Sequence, residues 1–184
     1  MIKTTYSQGD HELSSLTTEL LLDNLNPVFF ETGTNTGYGV ICAIKSGFKK
    51  IHSIDIEERY YEMAKKNFVE NFEFSDISFS FYLGDSGVLL SDIIKNIDER
   101  ITFWLDGHEF HNIPLLDELE TIKQHKIKDH TLIIDDVRMF NTSSWDNIGL
   151  DNVINKIKEI NSRYSITFVN SINGVEDILI AKIL

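Results

Sequence analysis

Two short stretches of the chain place carboxylates and a histidine close together in sequence. The first, WLDGH, contains Asp106 and His108, and the second, LIIDD, ends with Asp135 and Asp136. Clustered carboxylates repel one another unless something positive lies between them, and Mg²⁺, Mn²⁺ and Ca²⁺ accept oxygen ligands of this kind. The three aspartates are therefore candidate ligands of a divalent ion, provided that the fold brings the two stretches together.

His108 has more than one interpretation. An imidazole titrates near neutral pH, so His108 is a candidate general base. Together with His111 it can instead help Asp106 to bind zinc or iron, although no further nitrogen or sulfur ligand is close in sequence. A histidine in a loop is also often a plain surface residue, and an aspartate at a strand end is often a helix N-cap or a turn residue.

A glycine-rich loop supplies the third chemical feature. The sequence FFETGTNTGYG places Gly33, Gly37 and Gly39 close together in a chain that has 10 glycines in 184 residues. One glycine in a loop often serves turn geometry alone, whereas three favour a ligand whose atoms press on the backbone. The spacing is not the G-x-G-x-x-G of a dinucleotide loop, because Asn35 and Tyr38 stand where glycines are needed, and no lysine follows as a P-loop requires.

Apolar runs alternate with amphipathic stretches along nearly the whole chain. Helices are predicted at 13–25, 38–46, 58–71, 87–97, 115–125 and 147–161. Strands are predicted at 27–31, 51–55, 77–83, 101–105, 131–134, 165–170 and 176–183, the last two joined as a hairpin through Asn173-Gly174. This alternation predicts an α/β protein whose mostly parallel sheet is covered on both faces and ends in a C-terminal antiparallel hairpin.

Nearly every predicted parallel strand ends in an acid. These acids are Glu31, Asp55, Asp85, Asp106, Asp135 and Asp136. In open α/β sheets, ligands bind beyond the carboxyl ends of the strands. We therefore expect the functional site at this edge of the sheet, where the acids and the glycine loop meet.

The glycine loop and the acids that follow it resemble the class I S-adenosylmethionine-dependent methyltransferases, in the same order along the chain. Glu31 and the loop after it resemble motif I of that family. Asp55 lies 22 positions after Gly33 (55 − 33), near the roughly twenty-residue offset of a ribose-binding acid. Asp85 resembles the acid that accepts a hydrogen bond from the adenine amine. The segment 34–36 is less glycine-rich than the commonest form of this loop.

The resemblance implies a fold and a set of cofactor contacts. The fold is a Rossmann-like three-layer sandwich with a seven-stranded sheet in the order 3-2-1-4-5-7-6. Glu31 is expected near the ammonium of S-adenosylmethionine, and Asp55 at its ribose hydroxyls. The full set of implied cofactor-binding residues is Glu31, Gly33, Thr34, Asn35, Gly37, Asp55, Ile56, Asp85, Ser86 and Asp106.

The acids after the fourth and fifth strands resemble those of metal-dependent O-methyltransferases, including the macrocin and sugar O-methyltransferase group. By position, the resemblance implies Asp106, Asp135 and Asp136 as ligands of Mg²⁺ or another divalent ion, and Asp106 and His108 as catalytic residues. Such an ion would bind a substrate hydroxyl and lower its pKa. The implied activity is methyl transfer to the oxygen of a small-molecule or sugar hydroxyl.

The loop at 138–145 follows the acid pair and is predicted to contribute to the acceptor site. Trp145 is expected either to form a stacking wall for the acceptor or to be pinned to the core. Arg138 is expected to pair with an acid of the cluster or with an anionic substrate.

The composition of the chain limits the classes of partner that we expect. The net charge of −12 disfavours a nucleic-acid or anionic-membrane partner. No apolar run reaches membrane-spanning length, and the N-terminal MIKTTYSQGD lacks the apolar region of a signal peptide. The single cysteine, Cys42, excludes an internal disulfide and is consistent with the cytoplasm. We expect one domain over 1–184, with 1–26 as an N-terminal helical segment, and a homodimer as an option.

Two other functional classes stay open at this point. The first is a nicotinamide-dependent oxidoreductase on a similar sheet, which the loop spacing disfavours. The second is a non-catalytic cofactor-binding module, which the acid cluster disfavours because unpaired acids cost stability.

Overall fold

A single twisted sheet organises the molecule, as seen in a computed structural model that describes residues 15–70, 76–108 and 113–184. The sheet has seven strands in the order β3-β2-β1-β4-β5-β7-β6, which confirms the predicted order. The strands are β1 (Val28–Thr32), β2 (Lys50–Asp55), β3 (Ser78–Leu83), β4 (Ile101–Leu105), β5 (Thr131–Ile134), β6 (Ser165–Val169) and β7 (Ile178–Lys182). The first five strands run parallel, and β7 pairs antiparallel with both β5 and β6.

Helices connect the strands and cover both faces of the sheet. They are α1 (Thr18–Leu22), α2 (Tyr38–Ser46), α3 (Glu58–Ala64), α4 (Ser86–Ile94), α5 (Leu115–Gln124) and α6 (Leu150–Ile160). A π-helical turn, Lys65–Glu70, continues α3, and two 3₁₀ turns, Val137–Met139 and Ser143–Trp145, follow β5. None of the described helices is long and apolar enough to cross a bilayer.

The predicted bounds of α2, β4 and β5 agree with the structure, whereas the other five helices are shorter than predicted. Helix α1 begins only at Thr18, because Thr17 is its N-cap and accepts a hydrogen bond from the Leu20 amide at 3.1 Å; the predicted start at 13 lies outside the described residues. Helix α6 begins at Leu150 and not at 147. Asp146 and Asn147 have positive φ angles of 49° and 55°, which a helix does not accommodate.

The strands β6 and β7 form the predicted hairpin, but their connection is wider than a two-residue turn. It spans residues 170–177, and the Ser171 amide donates to the Gly174 carbonyl at 2.9 Å. The Ser171 hydroxyl donates to Asp177 Oδ2 at 2.6 Å and accepts from the Asn173 amide at 2.8 Å. Side-chain contacts therefore shape this turn, and it lies at the same edge of the sheet as the acids.

Two apolar layers hold the sheet between the helices. Along β1 and β4, Phe30 and Phe103 face one layer with α4, α5 and α6, whereas Phe29 and Trp104 face the other with α1, α2 and α3. All four side chains are at most 2% exposed. Because each fully buried side chain of this size contributes about 1.5–3 kcal/mol, the central strands carry much of the stability and hold their carboxyl ends in place. Burial on both faces also explains why these strands are continuous apolar runs.

Candidate active site

A cavity of about 640 Å³ opens at the carboxyl ends of the parallel strands. The loops that follow β1 to β5 all contribute to its lining. The predicted site residues that line it are Glu31, Gly33, Thr34, Asn35, Asp55, Ile56, Asp85, Ser86, Asp106, His108, Asp135 and Asp136. Gly37 was predicted to bind the cofactor but is not among the lining residues; it is the left-handed N-cap of α2, with a φ of 84°.

The glycine loop is shaped by contacts within the protein. A Cβ added to Gly33, whose φ is +86°, would lie 2.6 Å from the Asp106 carbonyl oxygen at the end of β4. A Cβ added to Gly39 would collide with Glu31 Oε2 and lie 3.0 Å from its Cδ. Gly33, Gly37 and Gly39 are thus each favoured by backbone conformation or by close packing within the protein. The sequence had suggested a ligand as the reason, and the structure adds these closer ones.

Glu31 is the acid nearest the loop, and its carboxylate is buried. Its side chain is 1% exposed, and Oε1 accepts a hydrogen bond of 2.8 Å from the Ser53 hydroxyl. The Ser53 hydroxyl in turn lies 2.5 Å from that of Thr34, and the two share a hydrogen bond. Burial raises the pKa of Glu31 to about 8, although the Ser53 hydrogen bond opposes this. Ser53 was not predicted from the sequence, because only the acid at the end of its strand, Asp55, stood out.

Asp55 ties the glycine loop to the end of β2. Its Oδ2 accepts from the Asn35 amide and its Oδ1 from the Glu57 amide, both at 2.8 Å. Asn35 itself has a positive φ of 45°. Each oxygen keeps a second lone pair, so Asp55 can still accept from two vicinal hydroxyls in the cavity.

Asp85 and Ser86 begin α4, and both line the cavity. Asp85 is the N-cap and accepts from the Gly87 amide at 2.8 Å. The Ser86 hydroxyl donates to Glu118 Oε1 on α5 at 2.6 Å. Glu118 is 0% exposed, and burial raises its pKa to about 7. Sequence analysis missed this acid, although its spacing to the apolar residues 115, 119 and 122 places it on the inward stripe of the helix.

The acids after β4 and β5 form the second half of the cavity lining. Burial, followed by repulsion from Asp135 and Asp136, raises the pKa of Asp106 well above its usual range. Burial raises the pKa of Asp135 to about 7, with Asp136 adding to the effect. In the part of the chain that the structure describes, Asp135 Oδ1 has no hydrogen-bond partner. The described residues therefore leave part of this carboxylate cluster without a hydrogen-bond partner.

His108 lies beside these acids with its ring held by an aromatic neighbour. The imidazole is 7% exposed, and its centroid lies 4.4 Å from the ring of Trp145. Neither ring nitrogen hydrogen-bonds to a described residue, and burial lowers the pKa of His108 to about 3. Trp145 is itself 3% exposed and does not line the cavity. Of its two predicted roles, the structure shows the one in which the tryptophan is pinned to the core.

Arg138 pairs with acids, as one of its two predicted roles required. Its Nη1 lies 2.6 Å from Asp136 Oδ1 and 2.5 Å from Asp177 Oδ2. The Arg138 amide also donates to Asp177 Oδ1 at 3.0 Å. Asp177 is 0% exposed, and sequence analysis missed it because it lies in the hairpin connection, far along the chain from the other acids.

Two sets of side chains are close enough to hold a cation between them. One oxygen each of Asp106 and Asp136 and one nitrogen of His108 lie within 4.8 Å of one another. One oxygen each of Asp135, Asp136 and Asp177 forms a second set of the same size. The three predicted ligands are thus divided between the sets, with Asp136 in both. The raised pKa values and the unpartnered Asp135 and His108 atoms fit a divalent ion at this end of the cavity.

Comparison with known proteins places the fold. No protein-family model and no curated protein matches the sequence. Solved structures do match over most of the chain. An O-methyltransferase from Bacillus cereus in complex with S-adenosylhomocysteine aligns with a TM-score of 0.63 at 15% identity, over 99% of this chain and 84% of that one. The S-adenosylhomocysteine-bound methyltransferase PaMTH1 from Podospora anserina aligns with a TM-score of 0.64 at 10% identity, over 100% and 84%.

The chain has the class I methyltransferase fold. Methyltransferases with this fold act on different acceptors. A ribosomal protein L11 methylase from Lactobacillus delbrueckii subsp. bulgaricus aligns with a TM-score of 0.54 at 18% identity, over 91% of this chain and 75% of that one. The fold alone does not identify the acceptor, which has to be argued from the site itself.

Proposed function

We propose that the protein is an S-adenosylmethionine-dependent methyltransferase that transfers a methyl group to a hydroxyl oxygen of a small molecule or sugar, assisted by a divalent ion. The observation that carries this proposal is the binding of both Asp55 oxygens to the backbone of the cavity rim, at Asn35 and Glu57, on a methyltransferase fold. This arrangement fixes a carboxylate where the fold expects the cofactor's ribose.

The first half of the cavity suits the cofactor. A bound S-adenosylmethionine would supply the methyl group as a cationic sulfonium, which the carboxylates around the cavity favour. Glu31 is held by Ser53 beneath the glycine loop, where it can receive an ammonium group. Asp85 and the exposed side chain of Ile56 line the same cavity on the side of β2 and β3. These residues bind and orient the cofactor and take no part in the chemical step.

The second half of the cavity suits a hydroxyl acceptor. Methyl transfer needs alignment, a deprotonated acceptor and a dry site. A divalent ion held by the acids after β4 and β5 would lower the pKa of the acceptor hydroxyl. Asp135, with an unpartnered oxygen and a pKa of about 7, is suited to take up the acceptor proton directly or through water. The pairing of Arg138 with two carboxylates makes an anionic acceptor a poorer fit than a neutral one.

Calorimetric titration with S-adenosylhomocysteine tests the cofactor. We expect micromolar binding by the wild-type protein and at least about tenfold weaker binding by Asp55→Ala, because the backbone at Asn35 and Glu57 loses its acceptor and so does the ribose. The matched control is Asp92→Ala, which removes an exposed aspartate of α4 that pairs with Lys95 outside the cavity. Binding of reduced nicotinamide in place of S-adenosylhomocysteine would overturn the proposal in favour of an oxidoreductase.

Turnover with methyl-labelled S-adenosylmethionine tests the reaction. A panel of hydroxylated acceptors, including sugars and catechols, is incubated with and without Mn²⁺, Mg²⁺ and a chelator. We expect label in an ether product and loss of that product after chelation. Cofactor binding without transfer to any acceptor would instead favour a non-catalytic binding module.

A further inference from the structure

The buried imidazole of His108 has the environment of a metal ligand, because its nitrogens have no hydrogen-bond partner among the described residues. Its ring is 7% exposed, and both nitrogens lack a hydrogen bond to any described residue. A buried polar atom without a partner costs about 1–3 kcal/mol, so one that persists calls for an explanation. The ring is also held in place, since Trp145 packs at 4.4 Å and is itself packed against Phe140 at 5.2 Å. The imidazole is thus buried and oriented at the wall of the cavity, with no hydrogen-bond partner among the residues that the structure describes.

Two carboxylates lie within reach of this imidazole. One oxygen each of Asp106 and Asp136 lies with a His108 nitrogen in a set whose members are all within 4.8 Å of one another. Asp106 follows β4 directly, and its amide donates to the Thr32 carbonyl at 3.2 Å, which fixes the start of the loop after β4. Asp136 has a left-handed φ of 61°, an uncommon conformation for a residue other than glycine. The backbone at Asp106 and at Asp136 therefore holds these groups close to one another.

In the second set of acids, Asp177 is already engaged by the protein. Asp177 accepts from the Arg138 amide and from Arg138 Nη1, and also from the Ser171 hydroxyl, so both of its oxygens are engaged. Arg138 Nη1 lies between Asp177 and Oδ1 of Asp136. An arginine thus occupies the place of a cation in that set. Because Arg138 also pairs with Asp136, which both sets share, the feature that distinguishes the set with His108 is an imidazole whose nitrogens no described residue engages.

We infer that Asp106, His108 and Asp136 bind a divalent first-row transition ion, with His108 as a ligand and Asp135 outside the inner ligand set. This inference rests on the proposed function only for the role of the ion in activating the acceptor. Two carboxylates and one imidazole form a mixed oxygen and nitrogen donor set. Imidazole favours transition metals, whereas Mg²⁺ and Ca²⁺ favour oxygen ligands. The site therefore prefers Mn²⁺ or a later metal to Mg²⁺, and His108 serves as a ligand and not as the general base.

Electron paramagnetic resonance with Mn²⁺ tests the ligand set without any turnover. Titration of the full-length protein with Mn²⁺ measures one bound ion from the loss of the free-ion signal, and pulsed spectra of the bound ion detect ¹⁴N coupling from a coordinated imidazole. We expect ¹⁴N coupling in the wild type and its loss in His108→Gln, together with at least about tenfold weaker Mn²⁺ binding. The control variant Asp135→Asn is expected to keep the ¹⁴N coupling. A tenfold excess of Mg²⁺ is expected to leave most of the Mn²⁺ bound.

Several results would overturn the inference. Absence of Mn²⁺ binding, binding without ¹⁴N coupling in the wild type, or coupling that survives in His108→Gln would each exclude His108 as a ligand. The wild-type spectrum alone decides the matter if the variant does not fold. S-adenosylhomocysteine titrations of the same preparations separate the two proposals. Cofactor binding without ¹⁴N coupling rejects the ligand set alone, whereas ¹⁴N coupling without cofactor binding rejects the proposed methyltransferase function.

Discussion

The carboxylate of Glu31 fills the space in which a side chain at residue 39 would begin. A Cβ on Gly39 would collide with Glu31 Oε2 and lie 3.0 Å from Cδ. The acid at the end of β1 and the third glycine of the loop are therefore one structural unit, separated by only eight positions in the chain (39 − 31). This contact places a buried carboxylate directly beneath the start of α2.

Gly39→Ala is expected to destabilise the protein by about 2–3 kcal/mol, because the added methyl group meets the buried Glu31 side chain and Leu16 lies close behind it. Urea denaturation followed by circular dichroism measures the loss. S-adenosylhomocysteine binding is expected to weaken as well, since the carboxylate must move.

A double-mutant cycle of Gly39→Ala with Glu31→Ala measures how much of this loss comes from the contact between the two residues. We expect Gly39→Ala to cost less in the Glu31→Ala background than in the wild type, with a coupling between about 0.5 and 3 kcal/mol. Additive effects of the two substitutions would show that the clash with Glu31 is not the cause.

Glu118→Gln is expected to stabilise the protein at pH 8. Burial raises the pKa of Glu118 from its ordinary value of 4.5 to about 7 in the folded state. The folded protein thus binds the proton more tightly than the unfolded chain, so stability falls as the pH rises from 4.5 to 7 and stays low above it. The shift corresponds to roughly 3 kcal/mol as an upper bound. Urea midpoints at pH 8 and pH 4 measure the difference, and an equal effect of the substitution at both values would contradict this origin.

His130 is expected to produce the opposite pH dependence. The Ile101 amide donates to His130 Nδ1 at 3.0 Å, so Nε2 carries the proton and donates to His125 Nδ1 at 2.9 Å. Protonation of Nδ1 would turn it into a donor that faces the Ile101 amide, which is a donor as well. Burial lowers the pKa of His130 from 6.5 to about 3. Stability from the neutral ring is complete above pH 6.5 and is lost as the pH falls toward 3.

The His130 effect is measured by comparing wild type with His130→Gln. The variant is expected to be less stable at pH 8, because the hydrogen bonds to Ile101 and His125 are disturbed. Between pH 8 and pH 5 the wild type is expected to lose roughly 2 kcal/mol relative to the variant, as the unfolded histidine takes up its proton. A constant difference between the two proteins over this range would rule out titration of His130.

Asp177→Asn is expected to lower the free energy of unfolding by about 3 kcal/mol, because it removes one partner of a pair whose carboxylate is fully buried. Arg138 is then left with Asp136 alone, and Mn²⁺ affinity is expected to fall as the arginine turns to that acid. Asp92→Asn, which removes one partner of an exposed pair with Lys95, is the matched control and is expected to change the urea midpoint little. Unchanged stability in Asp177→Asn would show that the pair is not a structural anchor.

Local sequence was sufficient for the order of elements and for the edge of the sheet at which the cavity lies. The apolar run 101–105 and the glycine at 47 are strong short-range signals, and β4 and the end of α2 agree with them. The start of α6 was wrong by three residues (150 − 147), because side-chain periodicity does not report the left-handed backbone at Asp146 and Asn147.

The sequence by itself determined which acids follow the parallel strands, since the alternation of strand and helix sends all the carboxyl ends to one edge. Only the tertiary structure decided how those acids are used. It paired Arg138 with Asp177 from the distant hairpin, packed Trp145 against His108, and placed Ser53 beneath Glu31. These contacts join residues far apart in the chain, and a hydrogen bond or ring contact depends on distance and orientation, which no local sequence pattern encodes.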